Sequence, residues 1–369
     1  MKAVAIFPEH KEIRLIEHEA PQITQPTQVK LRMLEVGVCG TDRDICTFAF
    51  GTLPAGSEYL IIGHESLGEV VEVGSAVSTL KPGDLAVTVV RRPCQHADCR
   101  ACQVGRQDFC YTGDYTERGI KEAHGFMTEF VVDDERYMYF VPRELRDVGI
   151  LVEPLTIAEK ALAEVWHIQQ RLPWLLPDAP DNEPGHGLKA LVLGAGPIGL
   201  LGAMALVTAG FETYVYSRSQ APNAKAAIVE AIGATYLSSS TISPQQLTAH
   251  TGQIDLVYEA LNAEPIAFEV MNVLGPNGIF VFTSNPNQPG INAASGMSRL
   301  MGKNQLIFGT VNAGSDAFTF AVRDLGIFMQ RWPNALRSLI TGRYSLEQAH
   351  DVLLGKMGGI KNIITLQPE

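Results

Sequence analysis

The stretch that most constrains this chain is Lys189-Ala-Leu-Val-Leu193, followed by Gly194-Ala195-Gly196-Pro197-Ile198-Gly199 and the apolar run from Leu200 to Val207. An apolar strand, a Gly-x-Gly-x-x-Gly turn and a helix form the opening of a dinucleotide-binding βαβ unit. The first glycine makes the tight turn, the second lets backbone approach a pyrophosphate, and the third allows close helix–strand packing. Pro197 and Ile198 open the helix, whose free N–H groups and positive dipole end favour a phosphate. Further strands are expected at Glu212–Tyr216, Ala234–Leu237, Asp255–Tyr258, Gly278–Thr283 and Leu306–Val311, with helical stretches between several of them. That alternation predicts an α/β unit with a doubly wound parallel sheet of the Rossmann kind.

The end of the second strand bears on which dinucleotide is bound. An NAD site wants a carboxylate there for the ribose 2′-hydroxyl. This chain has Ser217-Arg218-Ser219 after Tyr216. No carboxylate repels a 2′-phosphate, and Arg218 with two flanking hydroxyls can hold one. The reading favours NADP over NAD.

At 369 residues, two domains are expected. Residues 1 to about 160 carry short β-rich runs separated by Gly and Pro, including Gln28–Leu34, Gly68–Gly74, Asp84–Val90 and Thr128–Val132. They predict an antiparallel, barrel-type domain. Glu153–Gln170 reads as helix, and the proline-rich stretch from Arg171 to Gly187 as a surface connection. The expected division is 1–186 for the catalytic domain, with a cysteine lobe at about 91–115 and completion by 315–369; residues 187–314 form the nucleotide domain.

A net charge of −11 argues against a nucleic-acid partner, because phosphate neutralisation needs a basic face. No stretch reads as a membrane span or a signal peptide, so no membrane partner is expected. Four of the six cysteines crowd into residues 94–110, a pattern of metal ligation in a reducing compartment. The expectation is a cytoplasmic protein.

That window runs Cys94-x4-Cys99-x2-Cys102-x7-Cys110. Four thiolates about one tetrahedral Zn²⁺ make a closed structural site that staples a loop. His96 competes with Cys94 as the first ligand, and Cys94 is preferred. A second zinc set is suggested by Cys39 in Val36-Gly37-Val38-Cys39-Gly40-Thr41-Asp42, and by His64 in Gly63-His64-Glu65. Both read as lying in glycine-bearing turns, with Glu65 and Glu153 offering further oxygens. A catalytic zinc needs three protein ligands and an open position.

Taken together, these motifs resemble the medium-chain, zinc-containing alcohol dehydrogenases over nearly the whole chain. Within them the chain is most similar to the glucose (aldose) dehydrogenases of archaea and some bacteria. Features more specific to that group are Arg91-Arg92, Gly105–Cys110, Glu117-Arg118-Gly119-Ile120, His124–Met127 and Gly309-Thr310-Val311-Asn312. The resemblance implies a GroES-like catalytic domain joined to the Rossmann domain. It implies that Cys39, His64 and Glu153 bind the catalytic zinc, with Glu65 a direct, exchangeable or water-bridged ligand. It further implies that Glu117 and Asn312 hydrogen-bond sugar hydroxyls, with Glu153 also facing the substrate. Two departures stand out: the lobe's first spacing is longer than the usual C-x2-C, and Asp44 stands where many relatives carry a histidine.

The implied activity is hydride transfer from C1 of an aldose of the glucose or galactose type to NADP, giving the aldonolactone. Thr41 would pass the hydroxyl proton outward, with Asp44 or Glu65 on that path. The alternative is a zinc- and NAD(P)-dependent dehydrogenase of a polyol, amino-alcohol or secondary alcohol. A rival of another class, an NADP-binding redox sensor without catalytic zinc, sits poorly with the intact Cys39, His64 and Glu153. The resemblance also implies a homodimer or homotetramer, and the loop 284–304 is expected to border the cofactor or substrate.

Overall fold

The computed structural model describes residues 1–261, 265–284, 300–355 and 357–366. They build two compact units: Met1–Glu153 with Asn312–Gly326 and Leu339–Glu369, and Pro154–Val311 with Ile327–Ser338. The observed division therefore comes earlier in the chain than the expected 186/187. The reason is the helix Val152–Gln169, whose Ala158, Ala161, Leu162 and Val165 enclose a small apolar space with Gly202, Leu206, Leu256 and Tyr258. Burying that face ties residues 154 onward to the parallel sheet. Residues 327–338 go with the same unit, while 312–314 go with the first.

In the first unit a seven-stranded sheet runs in the order Met138–Val141, Leu85–Thr88, Glu65–Val73, Gln28–Val38, Lys361–Thr365 and Ile340–Ser345. Phe130–Asp134 pairs with the first half of Gln28–Val38. Neighbours are antiparallel except the last two, which run parallel. Leu31, Met33, Val36, Val70, Val131 and Ile364 point inward and form the core with Ile62 and Phe126. The central strand is longer than its sequence run implied, reaching Val38 at the threshold of Cys39. Gly37 thus lies in a strand and not in a turn. The N-terminal run forms a hairpin, Lys2–Phe7 with Glu12–Glu17, that also pairs Leu60–Ile61 and so delivers Gly63-His64. A smaller sheet joins Arg91–Arg92, Thr116–Arg118 and Glu122–Ala123.

The second unit holds a six-stranded, wholly parallel sheet among the described residues. Its order is Thr235–Ser238, Glu212–Ser217, Lys189–Leu193, Ile254–Glu259, Leu274–Phe282 and Leu306–Gly309. The order reverses direction beside the first strand, as in a doubly wound sheet. The expected strands are all present, within a few residues of their predicted bounds. Of the loop 284–304, residues 285–299 lie outside the described residues. No helix among the described residues is long and apolar enough to cross a membrane.

Candidate active site

Cys39 directly follows the long central strand and caps the short helix Gly40–Ile45. His64 follows the Leu60–Ile61 strand, and Glu65 begins the strand Glu65–Val73. These three converge: one ligand atom from each of Cys39, His64 and Glu65 lies within 4.8 Å of the others. A thiolate, an imidazole and a carboxylate at that spacing suit a zinc ion with an open position. His64 and Glu65 are buried and Cys39 is half-buried.

Asp42 organises the cluster and was not singled out from sequence. Its Oδ1 lies 3.1 Å from His64 Nδ1, and its Oδ2 accepts the Cys39 backbone N–H at 2.8 Å. The second bond is the helix-capping pattern of an acid three residues after the cap, which is legible in Cys39-Gly-Thr-Asp42. Burial works to raise the Asp42 carboxyl, but His64, the Cys39 N–H and Lys361 hold it below its usual range. Burial would lower the His64 imidazolium, yet Asp42 and Cys39 raise it well above the ordinary histidine value. An acidic partner on the far ring nitrogen also fixes the ring and frees Nε2 for a metal.

The second partner missed from sequence is Lys361, at the start of the C-terminal strand. Its ammonium pairs with Glu65 Oε2 and donates to the Val38 carbonyl at 3.2 Å. Both side chains are almost wholly buried. Glu65 and Ile363 flank Gly37 in register from opposite sides. A Cβ on Gly37 would stand 1.9 Å from Glu65 Oε2 and 3.0 Å from Lys361 Cε. Only a bare α-carbon lets the pair meet there.

Glu153, the expected third ligand, is not one of the three atoms within 4.8 Å. It is nonetheless close enough to feel them. Its carboxyl is raised to about 7, chiefly by burial, with Glu65 and Asp42 adding to the rise and His64 and Lys361 opposing it. A carboxyl neutralised this easily by burial is suited to a nearby cation. Thr41 Oγ1 lies 4.0 Å from the Cys39 sulfur. Asp44 is exposed on the same helical turn and shares no hydrogen bond with the cluster among the described residues. Cys46 is a core residue whose thiol burial pushes up to about 12, and it is no ligand.

In the lobe, Cys94, Cys99, Cys102 and Cys110 each place a sulfur within 4.8 Å of the rest, and all are free thiols. Cys99 and Cys110 are 3.9 Å apart. A tetrahedron of sulfurs about 2.3 Å from zinc has edges of roughly 3.8 Å, so the four fit that ion. Backbone N–H groups of Cys102 and Tyr111 hold the Cys99 thiol below its usual value. For Cys110, burial opposes ionisation, but the Thr112 hydroxyl and the Thr112 and Gly113 N–H groups bring it down to about 6. His96 stands outside, exposed, 2.6 Å from Asp114. Cys94, and not His96, shares the cluster with the other three sulfurs.

Glu117 and Asn312, far apart in sequence, are hydrogen-bonded: Asn312 Nδ2 donates to Glu117 Oε1 at 2.9 Å. Asn312 has a left-handed backbone, φ 58°, and its Oδ1 accepts the Ala313 N–H at 2.9 Å. Both amide ends are therefore fixed. Glu117 lies opposite Arg91 in the small sheet.

The second unit carries the glycine turn as its sequence predicts. Gly194 has φ 99°, and its N–H donates to the Tyr216 carbonyl at 2.8 Å. A Cβ on Gly199 would stand 2.0 Å from the Gly194 carbonyl oxygen, while one on Gly196 would meet nothing within 4 Å. Gly199 thus lets the helix close on the turn, and Gly196 leaves open space above the N-terminus of the twelve-residue helix Pro197–Thr208. Both Pro197 and Ile198 are half-buried in its first turn. Ser217 ends the neighbouring strand, half-buried, and Arg218 and Ser219 follow as exposed residues. An open anion cradle and an exposed arginine at the end of the next strand fit a phosphorylated dinucleotide.

Residues 146–366 match the family model described as glucose dehydrogenase C-terminus, and residues 25–143 match the alcohol dehydrogenase GroES-like domain. The glucose 1-dehydrogenase of Methanocella arvoryzae is 36% identical over 370 residues, covering 99% of each chain. That of Metallosphaera sedula is 38% identical over 99% of this chain and 98% of its own. Among solved structures, the glucose dehydrogenase of Haloferax mediterranei in complex with NADP, Zn and gluconolactone matches 100% of both chains. Its TM-score is 0.86 at 29% identity.

Proposed function

The chain belongs to the glucose dehydrogenase family of alcohol dehydrogenases with a GroES-like domain, and from that premise we propose that it oxidises an aldose at C1 with NADP. The C1 hydrogen leaves as hydride to the nicotinamide, the C1 hydroxyl loses its proton, and the product is the aldonolactone. The observation that carries the sugar reading is the hydrogen bond between Glu117 and Asn312. It presents directed polar groups of the kind a polyhydroxy ligand needs, since each buried hydroxyl left unpaired is costly.

Cys39, His64 and Glu65, with Glu153 beside them, would hold one zinc, and the four lobe cysteines a second. When bound, the first zinc supplies electrophilic polarisation of the C1 hydroxyl, and NADP supplies the hydride acceptor. Thr41 takes the hydroxyl proton toward solvent, with Glu65 or Asp44 on its path. Asp42 orients the His64 ring, and Lys361 holds the Glu65 carboxylate. Glu117, Asn312 and Glu153 bind the sugar. Gly194, Gly196, Pro197, Ile198 and Gly199 seat the pyrophosphate, and Ser217, Arg218 and Ser219 the 2′-phosphate.

We assign the protein to the cytoplasm, on its crowded free thiols, and to a homodimer or homotetramer, on its family. A panel of aldoses, polyols and simple alcohols, run with NADP and with NAD on protein of measured zinc content, tests the function. Turnover of glucose, galactose or xylose with NADP supports it. Turnover of sorbitol or 2-propanol without turnover of any aldose would move the assignment to the alternative.

A further inference from the structure

Glu117 does not stand alone in its small sheet. It is the direct cross-strand partner of Arg91, which is almost wholly buried. Arg91 Nε and Nη2 each lie 3.0 Å from Glu117 Oε1, the same oxygen that accepts from Asn312 at 2.9 Å. Three donors thus converge on Oε1, and no hydrogen bond among the described residues reaches Oε2. The remaining arm of the fork, Nη1, donates to the Asp108 carbonyl at 3.2 Å, two residues before the lobe ligand Cys110. The guanidinium lies 3.6 Å above the Tyr115 ring. Asp108 is itself buried, held by Arg106 at 3.1 and 3.0 Å, and Arg106 reaches Asp316, four residues past Asn312 in the chain, at 3.5 Å.

We propose that Arg91 is the positioning residue of the sugar site: it saturates one oxygen of Glu117 and so turns the other toward the aldose, and it takes its own position from the cysteine lobe. A planar fork with one arm on a backbone carbonyl and two on one carboxylate oxygen fixes both distance and rotation. A carboxylate locked by one oxygen presents the other as an acceptor of fixed direction, which lowers the ordering needed when a sugar hydroxyl binds. The lobe thereby does more than staple a loop: closing it on Cys110 sets the Asp108 carbonyl, and through Arg91 it sets Glu117. This inference rests on the reading that Glu117 touches the sugar.

The test combines Arg91→Lys, Arg91→Met, Glu117→Gln and the double variant Arg91→Lys/Glu117→Gln. Each is measured for aldose KM, NADP KM, kcat, zinc content and thermal unfolding. Lysine keeps the charge but cannot span Glu117 and the Asp108 carbonyl together. Arg91→Lys is therefore expected to stay folded with full zinc and to raise the aldose KM roughly tenfold, with NADP KM and kcat within about twofold. Arg91→Met is expected to raise it further if it folds. In the Glu117→Gln background, Arg91→Lys is expected to add little, because its effect runs through the carboxylate. An unchanged aldose KM in Arg91→Lys overturns the proposal, as does an equal increase with and without the Glu117 carboxylate. An unchanged KM in Glu117→Gln itself removes Glu117 from the sugar site, and the Arg91 proposal falls with it.

Discussion

Lys361 and Glu65, from the two strands that flank Gly37, meet as an ion pair over its bare α-carbon. The C-terminal strand thereby brings a cation to the cluster of Cys39, His64 and Glu65 that could hold a metal ion. In the absence of zinc, that cation is the charge partner of Glu65. With zinc bound, Glu65 has two cations to choose between.

Removing the ammonium should make this competition visible. Lys361→Met leaves Glu65 buried without its partner, and breaking a buried pair from one side costs about 3–5 kcal/mol. The zinc-free protein should therefore unfold at a lower temperature, while zinc should restore more stability than it does in the wild type. Calorimetric scans of both forms with and without zinc measure this. Equal zinc-induced gains in the two proteins would show that Lys361 does not compete for Glu65.

Glu65 and Glu153 can be told apart by zinc counting. Under the proposed ligand set Glu65 is the third ligand, because it clusters with Cys39 and His64, and Glu153 lies beside it. Glu65→Gln should leave the chain with the lobe zinc and little of the other. Glu153→Gln should keep more zinc but raise the aldose KM. Loss of zinc in Glu153→Gln with full occupancy in Glu65→Gln would restore the ligand set that the family resemblance implies.

Zinc uptake by the stripped protein should strengthen as pH rises. His64 is held protonated well above its ordinary value by Asp42 and Cys39, so an incoming metal must displace that proton. A group raised in this way is freed only as pH climbs through its elevated pKa. Titrations of zinc into stripped protein at about pH 6 and about pH 8 should show tighter binding at the higher pH and proton release on binding. Identical affinities without proton release would mean that His64 is already neutral in the stripped protein.

A chelator should separate the two sites. One thiolate, one imidazole and carboxylate oxygens hold zinc less firmly than four thiolates. EDTA should abolish activity while the lobe zinc and the fold persist. Simultaneous loss of activity and of circular dichroism would contradict this.

Cofactor choice should turn on the end of the second strand of the parallel sheet. Ser217→Asp places a carboxylate where a 2′-phosphate would sit, and Arg218→Ala removes its cation. Each should raise the NADP KM by about tenfold or more, equivalent to about 1.4 kcal/mol, with Ser217→Asp improving NAD. Unchanged NADP constants in both would take these residues out of the cofactor site.

Much of this was legible in the sequence because the signals are local. The turn Gly194–Gly199, the four-cysteine lobe and the strand–helix alternation each lie within one contiguous stretch, and each appears in the structure. Cys39 and His64 are paired by their residue types and glycine-bearing surroundings, whereas Glu117 and Asn312 enter only through family resemblance, and their mutual hydrogen bond has no spacing rule to announce it. What stayed hidden depends on sheet order. Lys361 reads as an ordinary strand lysine until Lys361–Thr365 is seen to pair with Gln28–Val38. Gly37 reads as a turn residue until its neighbours across the sheet are known. The role of Arg91 likewise follows from its cross-strand pairing with Glu117. The helix Val152–Gln169 gives no local sign of which sheet its apolar face meets, and that face packs on Gly202, Leu206, Leu256 and Tyr258 within the second unit.

The most direct test of the central claim uses glucose deuterated at C1, NADP and protein with both zinc sites filled. The account predicts NADPH carrying deuterium at nicotinamide C4, formed mole for mole with the lactone. Unlabelled NADPH, or oxidation at any other sugar carbon, would contradict it.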